Sequence, residues 1–424
     1  MSGEGGASRR GFLQSAGVLA AAAGSTLAPA LPADARTRNA AGVAPRLEPF
    51  YGVQQAGILT PAQQNTYFAA FDLESDKRDD LVAMLRNWTD ASAAMTKGDP
   101  APVPSNDPYA PGESTDTLGL APSRLTLTFG FGGDVFVKDG KDRYGLASAR
   151  PEALIDLPRF PGDQLVEART GGDISVQACA DDPQVAFHAV RRLAQLAYGT
   201  AKIRWGQTGF LPHSRAGETP RNLMGFKDGT GNPSTRDEAA MAKIVFVGDD
   251  GPAWMRGGSY VVARRILIAL EHWDRMKVDF QEQTMGRHRA SGAPLGKANE
   301  FDAIDLTATD KDGNPVMPLN SHVRLATAAS NDGAKLLRRP YAYNDGVSFT
   351  AERWPPWRQG MEYDAGLFFI CYQRDPREAF VKIFSKLSRL DMLNQFSTHT
   401  GGGLFACPGG ISPGEFVGEK LFSA

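Results

Sequence analysis

Asp228 has the type and setting of a residue that could do chemistry. It lies in the stretch NLMGFKDGTGNPS, which runs from Asn222 to Ser234 and contains three glycines. The order Asp-Gly-Thr-Gly-Asn is typical of a tight turn, because these residues adopt the backbone angles that turns require. A carboxylate held over a reaction centre could also take up and release a proton. The stretch alone leaves both interpretations open, and it lacks the Gly-Lys-Ser/Thr of a phosphate-binding loop.

His322 is the histidine whose neighbours suggest a metal. It opens the segment HVRLATAAS, in which a short apolar run is followed by small residues. A histidine beside small side chains could ligate a haem iron and leave room for the macrocycle. From this pattern alone a purely structural role is favoured. The six histidines and three cysteines form no His-Glu-x-x-His motif or tight cluster, which disfavours a mononuclear zinc site.

The elements that must position these residues repeat along the chain. Alternating or continuous apolar runs predict strands, and apolar residues at helical spacing predict helices. The strands are predicted at 66–75, 124–133, 173–180, 201–210, 259–270 and 365–373, and the helices at 76–98, 183–199, 271–286 and 375–390. Each half thus gives strand–helix–strand twice, in approximate form. This favours an α+β fold with two ferredoxin-like domains, at 49–215 and 216–424.

Composition narrows the class of protein. The chain has 424 residues, enough for two domains, and is 42% hydrophobic and 22% charged, which is typical of a globular protein. A net charge of −2 disfavours a nucleic-acid partner, because proteins that bind nucleic acids usually present a basic surface. Cys179, Cys371 and Cys407 are far apart and odd in number, so we expect buried thiols.

The N-terminus predicts export. Arg9 and Arg10 precede a weakly hydrophobic, alanine-rich run, and Ala33-Asp34-Ala35 is a candidate cleavage site. This is the layout of a twin-arginine signal peptide over residues 1–35, followed by a polar leader over 36–48. The twin-arginine export machinery carries folded proteins, so this route suits a protein that takes up a cofactor in the cytoplasm before export. The mature protein is expected in the periplasm or outside the cell.

Several segments, in the same order along the chain, resemble motifs of the dye-decolourising (DyP-type) haem peroxidases. GFKDGTGNP resembles the Gly-x-x-Asp-Gly signature of that family, and NSHVRLA, LLRRPYAY and GLFFICYQRDPR resemble its later motifs. FYGVQQAGILTPAQQ and GGDISVQACADD are similar to its opening and middle segments. The resemblance runs from about residue 50 to the end. It is strongest to the exported subgroup that includes the periplasmic deferrochelatase/peroxidase proteins.

The resemblance implies a barrel of the dimeric α+β type and haem b in the second ferredoxin-like domain. His322 matches the proximal ligand of the haem iron, Asp228 the distal acid and Arg338 the distal arginine. The acid would move the protons of peroxide, and the arginine would stabilise developing charge and pair with a haem propionate. A ferryl haem would then take electrons from a reducing substrate. The remaining matched haem contacts are Gly229, Thr230 and Gly231, with Thr327, Ala328 and Ala329 in place of the usual Asn-Pro-Arg.

The choice between neighbouring arginines is open in the sequence. The segment from His322 to Arg338 is shorter than usual in the family, so Arg339 competes for the distal position. The first arginine of the pair matches the motif better.

Three further side chains have two interpretations each. Asp391 could hydrogen-bond the second imidazole nitrogen of His322 and make it more basic, or it could cap a helix. Leu367 and Phe369 are two apart on a predicted strand and so share a face. They could form an apolar lid over the distal pocket or pack in the core.

The leading functional hypothesis is a haem peroxidase that uses hydrogen peroxide to oxidise dyes or phenolic compounds. Trp354, Trp357 and Tyr363 could pass electrons from bulky substrates at the surface, or simply pack. A second hypothesis is an iron-uptake component, a deferrochelatase that handles haem or ferrous iron with iron-uptake partners. A passive haem store is disfavoured because it needs neither Asp228 nor Arg338. Homo-oligomer formation is left open.

Overall fold

The computed structural model describes residues 46–102, 112–214, 217–351 and 359–423. Pro45–Ala424 form one compact unit. The predicted signal peptide and most of the predicted leader lie outside the described residues, as do Trp354 and Trp357. Among the described helices, none offers a stretch that is both long and apolar enough to cross a membrane.

Antiparallel strands close into a barrel. Eight strands follow one another around it in the order β5-β9-β2-β3-β1-β4-β7-β8, and β8 returns to β5. The short strand β6 adds to β8 beside β7. The strands in the described ranges are β1 Asn65–Leu73, β2 Thr126–Phe131, β3 Ile174–Ala180, β4 Ala201–Phe210, β5 Ser259–Ile268, β6 Leu337–Arg338, β7 Tyr341–Ala351, β8 Gln359–Gln373 and β9 Ser397–Cys407.

The barrel consists of two similar halves. In the first half the strands lie side by side in the order β4-β1-β3-β2, and in the second half in the order β9-β5-β8-β7. Along the chain, each half has helices between its first and second long strands and between its third and fourth. The halves meet at two edges, where Phe131 pairs with Ala406 and Phe210 pairs with Ala342. The predicted α+β class with two ferredoxin-like halves is therefore confirmed. The exact division into domains at residues 215 and 216 stays a prediction.

The helices lie along the chain between these strands. They are α1 Arg78–Met95, α2 Pro183–Leu196, α3 Glu238–Ile244, α4 Leu270–Trp273, α5 Val278–Met285, α6 His322–Ala326, α7 Lys382–Leu390 and α8 Glu419–Phe422. The helix predicted at 271–286 is divided into α4 and α5, and the helix predicted at 375–390 begins with a π-helical turn, Arg377–Val381. Strands β6, β7 and β9 were not predicted.

Alternation along the strands separates the inside of the barrel from its outer face. Phe368, Ile370 and Tyr372 on β8 join a buried cluster with residues from both halves, including Phe68 on β1 and Phe405 on β9, which is the barrel interior. Successive side chains on a strand point to opposite faces. Leu367, Phe369 and Cys371 on β8 therefore point outward, toward the helices of the second half.

Candidate active site

The loop that carries Asp228 is built by its own backbone and by Asn222. The Asn222 side-chain oxygen accepts hydrogen bonds from the backbone N–H groups of Met224 and Phe226, at 3.1 and 3.2 Å. Gly225 has a φ of +86°, a backbone conformation that favours glycine. The Asp228 N–H donates to the Pro220 carbonyl at 2.8 Å. The turn interpretation of the local sequence is thus correct.

Three further side chains, Asn232, Thr230 and Lys227, hold this loop in place. The Asn232 side chain accepts from the Arg338 N–H at 2.9 Å and donates to the Arg338 carbonyl at 2.8 Å. Thr230 Oγ1 donates to Glu300 Oε1 at 2.8 Å, and Lys227 pairs with the other oxygen of Glu300. The loop is therefore attached to β6 at one end and to the 300 region at the other.

Asp228 lies beside Arg338. The distance from Arg338 Nη1 to Asp228 Oδ1 is 3.0 Å, and both side chains are only partly exposed, at 28% and 16%. Arg338 is the register partner of Cys371 on β8, so it shares the outward face of Leu367 and Phe369.

Arg339 points the opposite way. It is 5% exposed and donates to the Thr60 carbonyl and to the Gln63 side chain. Because adjacent residues of an extended chain face opposite sides, only one of the two arginines can meet Asp228. The structure places Arg338 there.

His322 and Asp391 meet although 69 residues separate them. His322 Nδ1 lies 2.6 Å from Asp391 Oδ2. The other oxygen of Asp391 accepts from the Leu393 N–H at 2.8 Å and caps the 3₁₀ turn Met392–Gln395. Both sequence interpretations of Asp391 therefore describe contacts that the structure contains.

The electrostatics link the two pairs. Burial disfavours the charged imidazole, yet the negative charge and hydrogen bond of Asp391 outweigh it and raise the pKa of His322. The charges of Arg338 and Asp228 also act on the imidazole, in opposite directions. His322, Asp228 and Arg338 thus share one electrostatic environment.

The donor set suits haem. Nδ1 of His322 is engaged, so Nε2 is the nitrogen that a metal would bind, and the imidazole is 29% exposed. Small, partly exposed residues follow it, and the Thr327 hydroxyl caps the turn Ala328–Asn331 by accepting from Ser330 N–H. On the loop that carries Asp228, a Cβ added to Gly231 would meet no atom within 4 Å. Gly229 has a φ of +131°.

The flanking apolar residues have contacts of their own. Leu367 packs against the small cluster that contains Phe226, next to the Asp228 loop. Phe369 lies 6.1 Å from Phe380, ring centre to ring centre. Both remain partly exposed on the outward face.

Three residues near this face were missed by sequence reasoning. Arg264, the register partner of Phe369, is almost fully buried and 3.4 Å from Asp163. Arg264 Nε, Asp163 Oδ1 and His399 Nδ1 are buried without a hydrogen-bond partner among the described residues. A buried guanidinium N–H that lacks a partner suits a carboxylate such as those haem carries. The sequence signal that could have revealed Arg264 is the pair of arginines inside the apolar strand VVARRILI.

Family models match most of the chain. A model described as Dyp-type peroxidase, N-terminal, matches residues 55–211, and one described as Dyp-type peroxidase, C-terminal, matches residues 219–412. A deferrochelatase from Escherichia coli is 36% identical over 430 residues, which cover 98% of this chain and 96% of the relative. A dye-decolorizing peroxidase from Thermobifida fusca is 36% identical over 447 residues, with 98% and 97% covered.

Solved structures agree in fold. The crystal structure of a DyP-type peroxidase from Streptomyces coelicolor has a TM-score of 0.80 and 40% identity, covering 89% of this chain and 98% of that one. A variant of DypB from Rhodococcus jostii, in complex with heme, has a TM-score of 0.59 and 25% identity, covering 87% and 98%.

Proposed function

Because the chain belongs to the Dyp-type peroxidase family and is an enzyme of the dye-decolourising type, we propose that it is an exported haem b peroxidase. It reduces hydrogen peroxide while oxidising dyes, phenolic compounds or other small reducing substrates. The observation that carries the proposal is the Asp228–Arg338 pair at 3.0 Å, in the same electrostatic environment as His322. The DypB variant that is similar to this chain was determined with heme, which supports the same cofactor here.

His322 would hold the haem through Nε2. Gly229, Thr230 and Gly231 would lie along one side of it, and Thr327, Ala328 and Ala329 near the ligand helix. Bound haem supplies an iron that coordinates peroxide and the oxidising equivalents that the reducing substrate consumes. Leu367 and Phe369 would shield the distal side from water, which strengthens electrostatic interactions there.

Asp228 would take a proton from hydrogen peroxide at its Oδ atoms and return it to the departing oxygen. A carboxylate can perform both transfers when it is held within hydrogen-bond reach. The guanidinium of Arg338 would stabilise negative charge that develops on the peroxide oxygens. Its ion pair with Asp228 also fixes the position of the carboxylate.

Asp391 would keep His322 in one tautomer. Its carboxylate would accept a hydrogen bond from the Nδ1–H group and leave the Nε2 lone pair free for iron. This hydrogen bond makes the imidazole a more basic ligand. This is a positioning role, exerted through His322.

Reconstitution with haem tests the proposal. The purified protein is expected to show a Soret band that changes on addition of stoichiometric peroxide. His322→Ala should lose or loosen haem, and Asp228→Asn should slow the peroxide reaction by about 10²-fold or more while the haem content is kept. Absence of a Soret band after haem supplementation would overturn the assignment, and an unchanged rate in Asp228→Asn would remove its acid–base role.

A deferrochelatase role is the second candidate, because a relative of that name is 36% identical along nearly the whole chain. In that role the protein would release or transfer iron, with iron-uptake proteins as partners. Incubation with haem separates the two: iron released from an otherwise intact porphyrin favours the second role. Iron retained in haem during peroxide-dependent dye oxidation favours the first.

Export by the twin-arginine machinery to the periplasm or the medium is part of the proposal. Its support is the Arg9-Arg10 pair and the alanine-rich run that follows. Replacement of both arginines by lysine should leave the protein inside the cell. Unchanged export of that variant would contradict the signal.

A further inference from the structure

A cavity of about 420 Å³ borders the segment that leads into Arg338. Gly333, Ala334 and Lys335 form part of its lining, and they join the turn Ala328–Asn331 to β6. Tyr260 on β5 and the start of the helical segment at Glu378 and Ala379 also line it. The cavity therefore adjoins the candidate active site without including Asp228, Arg338 or His322.

The position of Tyr260 relative to Arg338 follows from strand register. Arg338 pairs with Cys371, Cys371 pairs with Val262, and Tyr260 is two residues from Val262 on the same face. Two strand spacings and two residues of strand rise place the Cα atoms of Tyr260 and Arg338 roughly 12 Å apart. The cavity thus opens on the outward face that carries Arg338.

The walls of the cavity combine apolar and charged side chains. The apolar part is formed by Ala153, Ile244, Val247, Pro252, Ala334 and Ala379. The side chain of Tyr260 is almost fully buried beside them. Burial raises the pKa of the Tyr260 hydroxyl, so the group is protonated at neutral pH and can donate a hydrogen bond. A cavity of this size, with an apolar wall and a buried hydroxyl donor, suits a small organic molecule of one or two rings.

Charges around the cavity are mostly compensated. Arg374 pairs with Asp250, and Arg377 lies 2.8 Å from Asp375 and 3.2 Å from Glu152. Lys243, Lys335 and Glu378 also line it and make no ion pair within the described ranges. Four basic and four acidic side chains leave no formal net charge, so the lining does not select a highly charged ligand.

We propose that this cavity binds a phenolic reducing substrate of one or two rings, with the Tyr260 hydroxyl near its oxygen. This rests on the proposed peroxidase function, for which it supplies the second substrate. Each phenol gives up one electron and its hydroxyl proton. Two phenols reduce one hydrogen peroxide to two waters and leave as two phenoxyl radicals, so hydrogen peroxide is the oxidant and the balance closes.

Filling the cavity tests the proposal on the haem-loaded protein. Ala334→Trp places a large ring in it, and Ala303→Trp makes the same change at an exposed position outside it. The probe is 2-naphthol, whose binding is measured by equilibrium dialysis without peroxide and whose KM is measured with peroxide. Ala334→Trp should weaken binding and raise the KM by about tenfold or more, while the KM for peroxide stays as in the wild type. Ala303→Trp should match the wild type in all three.

Tyr260→Phe keeps the ring and removes the hydroxyl, so it tests the site if Ala334→Trp fails to fold. It should weaken 2-naphthol binding by about three- to tenfold, the effect of one hydrogen bond. Unchanged binding in the folded variants would overturn the assignment, even with normal peroxidase turnover in the wild type. If the wild-type protein binds 2-naphthol but never oxidises it, the cavity does not hold a reducing substrate. If no other reducing substrate is oxidised either, the proposed peroxidase function is also overturned.

Discussion

Arg338 Nη1 lies 3.0 Å from Asp228 Oδ1, although 110 residues separate the two in the chain. The neighbouring Arg339 is directed away and bonds to Thr60 and Gln63. The pair of adjacent arginines therefore divides into one that faces the candidate active site and one that fixes the N-terminal region against the barrel. A substitution at each position should affect a different property.

Arg338→Leu should lower kcat/KM for hydrogen peroxide by about 10²–10³-fold, because it removes the positive charge that is proposed to stabilise the peroxide oxygens. Its thermal stability should change little, since the side chain is partly exposed. Arg339→Leu should instead lower the melting temperature, because buried hydrogen-bond acceptors lose their donor. Stopped-flow kinetics and thermal unfolding measure the two effects. If Arg339→Leu folds normally and loses the peroxide reaction while Arg338→Leu keeps it, the assignment of the distal arginine is wrong.

Asp391→Asn should distinguish the effect of the Asp391 contact with His322 from the effect of its cap on the 3₁₀ turn. Asparagine caps a helical turn as well as aspartate does, so thermal stability should stay close to that of the wild type. The negative charge beside His322 is lost, which makes the imidazole a weaker donor to iron. We expect a higher ferric/ferrous midpoint potential and about 10- to 100-fold slower reaction with peroxide. A lower melting temperature with an unchanged potential would indicate that Asp391 acts only as a cap.

The parts of this site that are local in sequence could be predicted, and the parts that depend on distant contacts could not. The turn around Asp228 follows from its glycines and asparagine, and the alternating strands follow from side-chain period. In contrast, β7 contains Asn344-Asp345-Gly346, which indicates a turn. In the structure the strand continues through these residues, with a shift in the register of its pairing with β8. Strand β9 contains THTGGG, which has no apolar alternation.

The direction in which a side chain points was the second feature that the sequence could not predict. Nothing local distinguishes Arg338 from Arg339, because the choice depends on how β6 pairs with β8. The same holds for the contact of Asp391 with His322, which is visible only when α6 and the turn after α7 come together. Family resemblance proposed these residues, but their geometry required the three-dimensional structure.

Asn232→Ala should weaken the attachment of the Asp228 loop to β6. Asn232 makes two hydrogen bonds to the backbone of Arg338, so their loss should reduce the free energy of unfolding by about 1–3 kcal/mol. The peroxide reaction should also slow, although Asn232 touches neither proposed catalytic side chain directly. Asn314→Ala removes an asparagine from an exposed turn and is the matched control. An Asn232→Ala protein with wild-type stability and wild-type peroxide kinetics would show that the loop is held by other contacts.

His399 should make the haem-free protein lose stability in mild acid. Burial, and then the positive charge of Arg264, lower the pKa of His399 from its ordinary 6.5 to about 3. Between these values the unfolded chain binds a proton that the folded chain does not. The stabilisation is thus complete above pH 6.5 and falls by about 1.4 kcal/mol per pH unit as the pH drops toward 3.

His399→Phe retains an aromatic ring against Phe384, which lies 4.4 Å from the imidazole centre, and removes the titrating group. Urea unfolding between pH 4.5 and 7 should show a shallower decline in the free energy of unfolding for this variant than for the wild type. His213→Phe, at an exposed position, is the control for removal of one imidazole. Other titrating groups are common to all three proteins and cancel in the comparison. Parallel pH profiles for wild type and His399→Phe would mean that His399 takes up its proton in the folded protein as easily as in the unfolded chain.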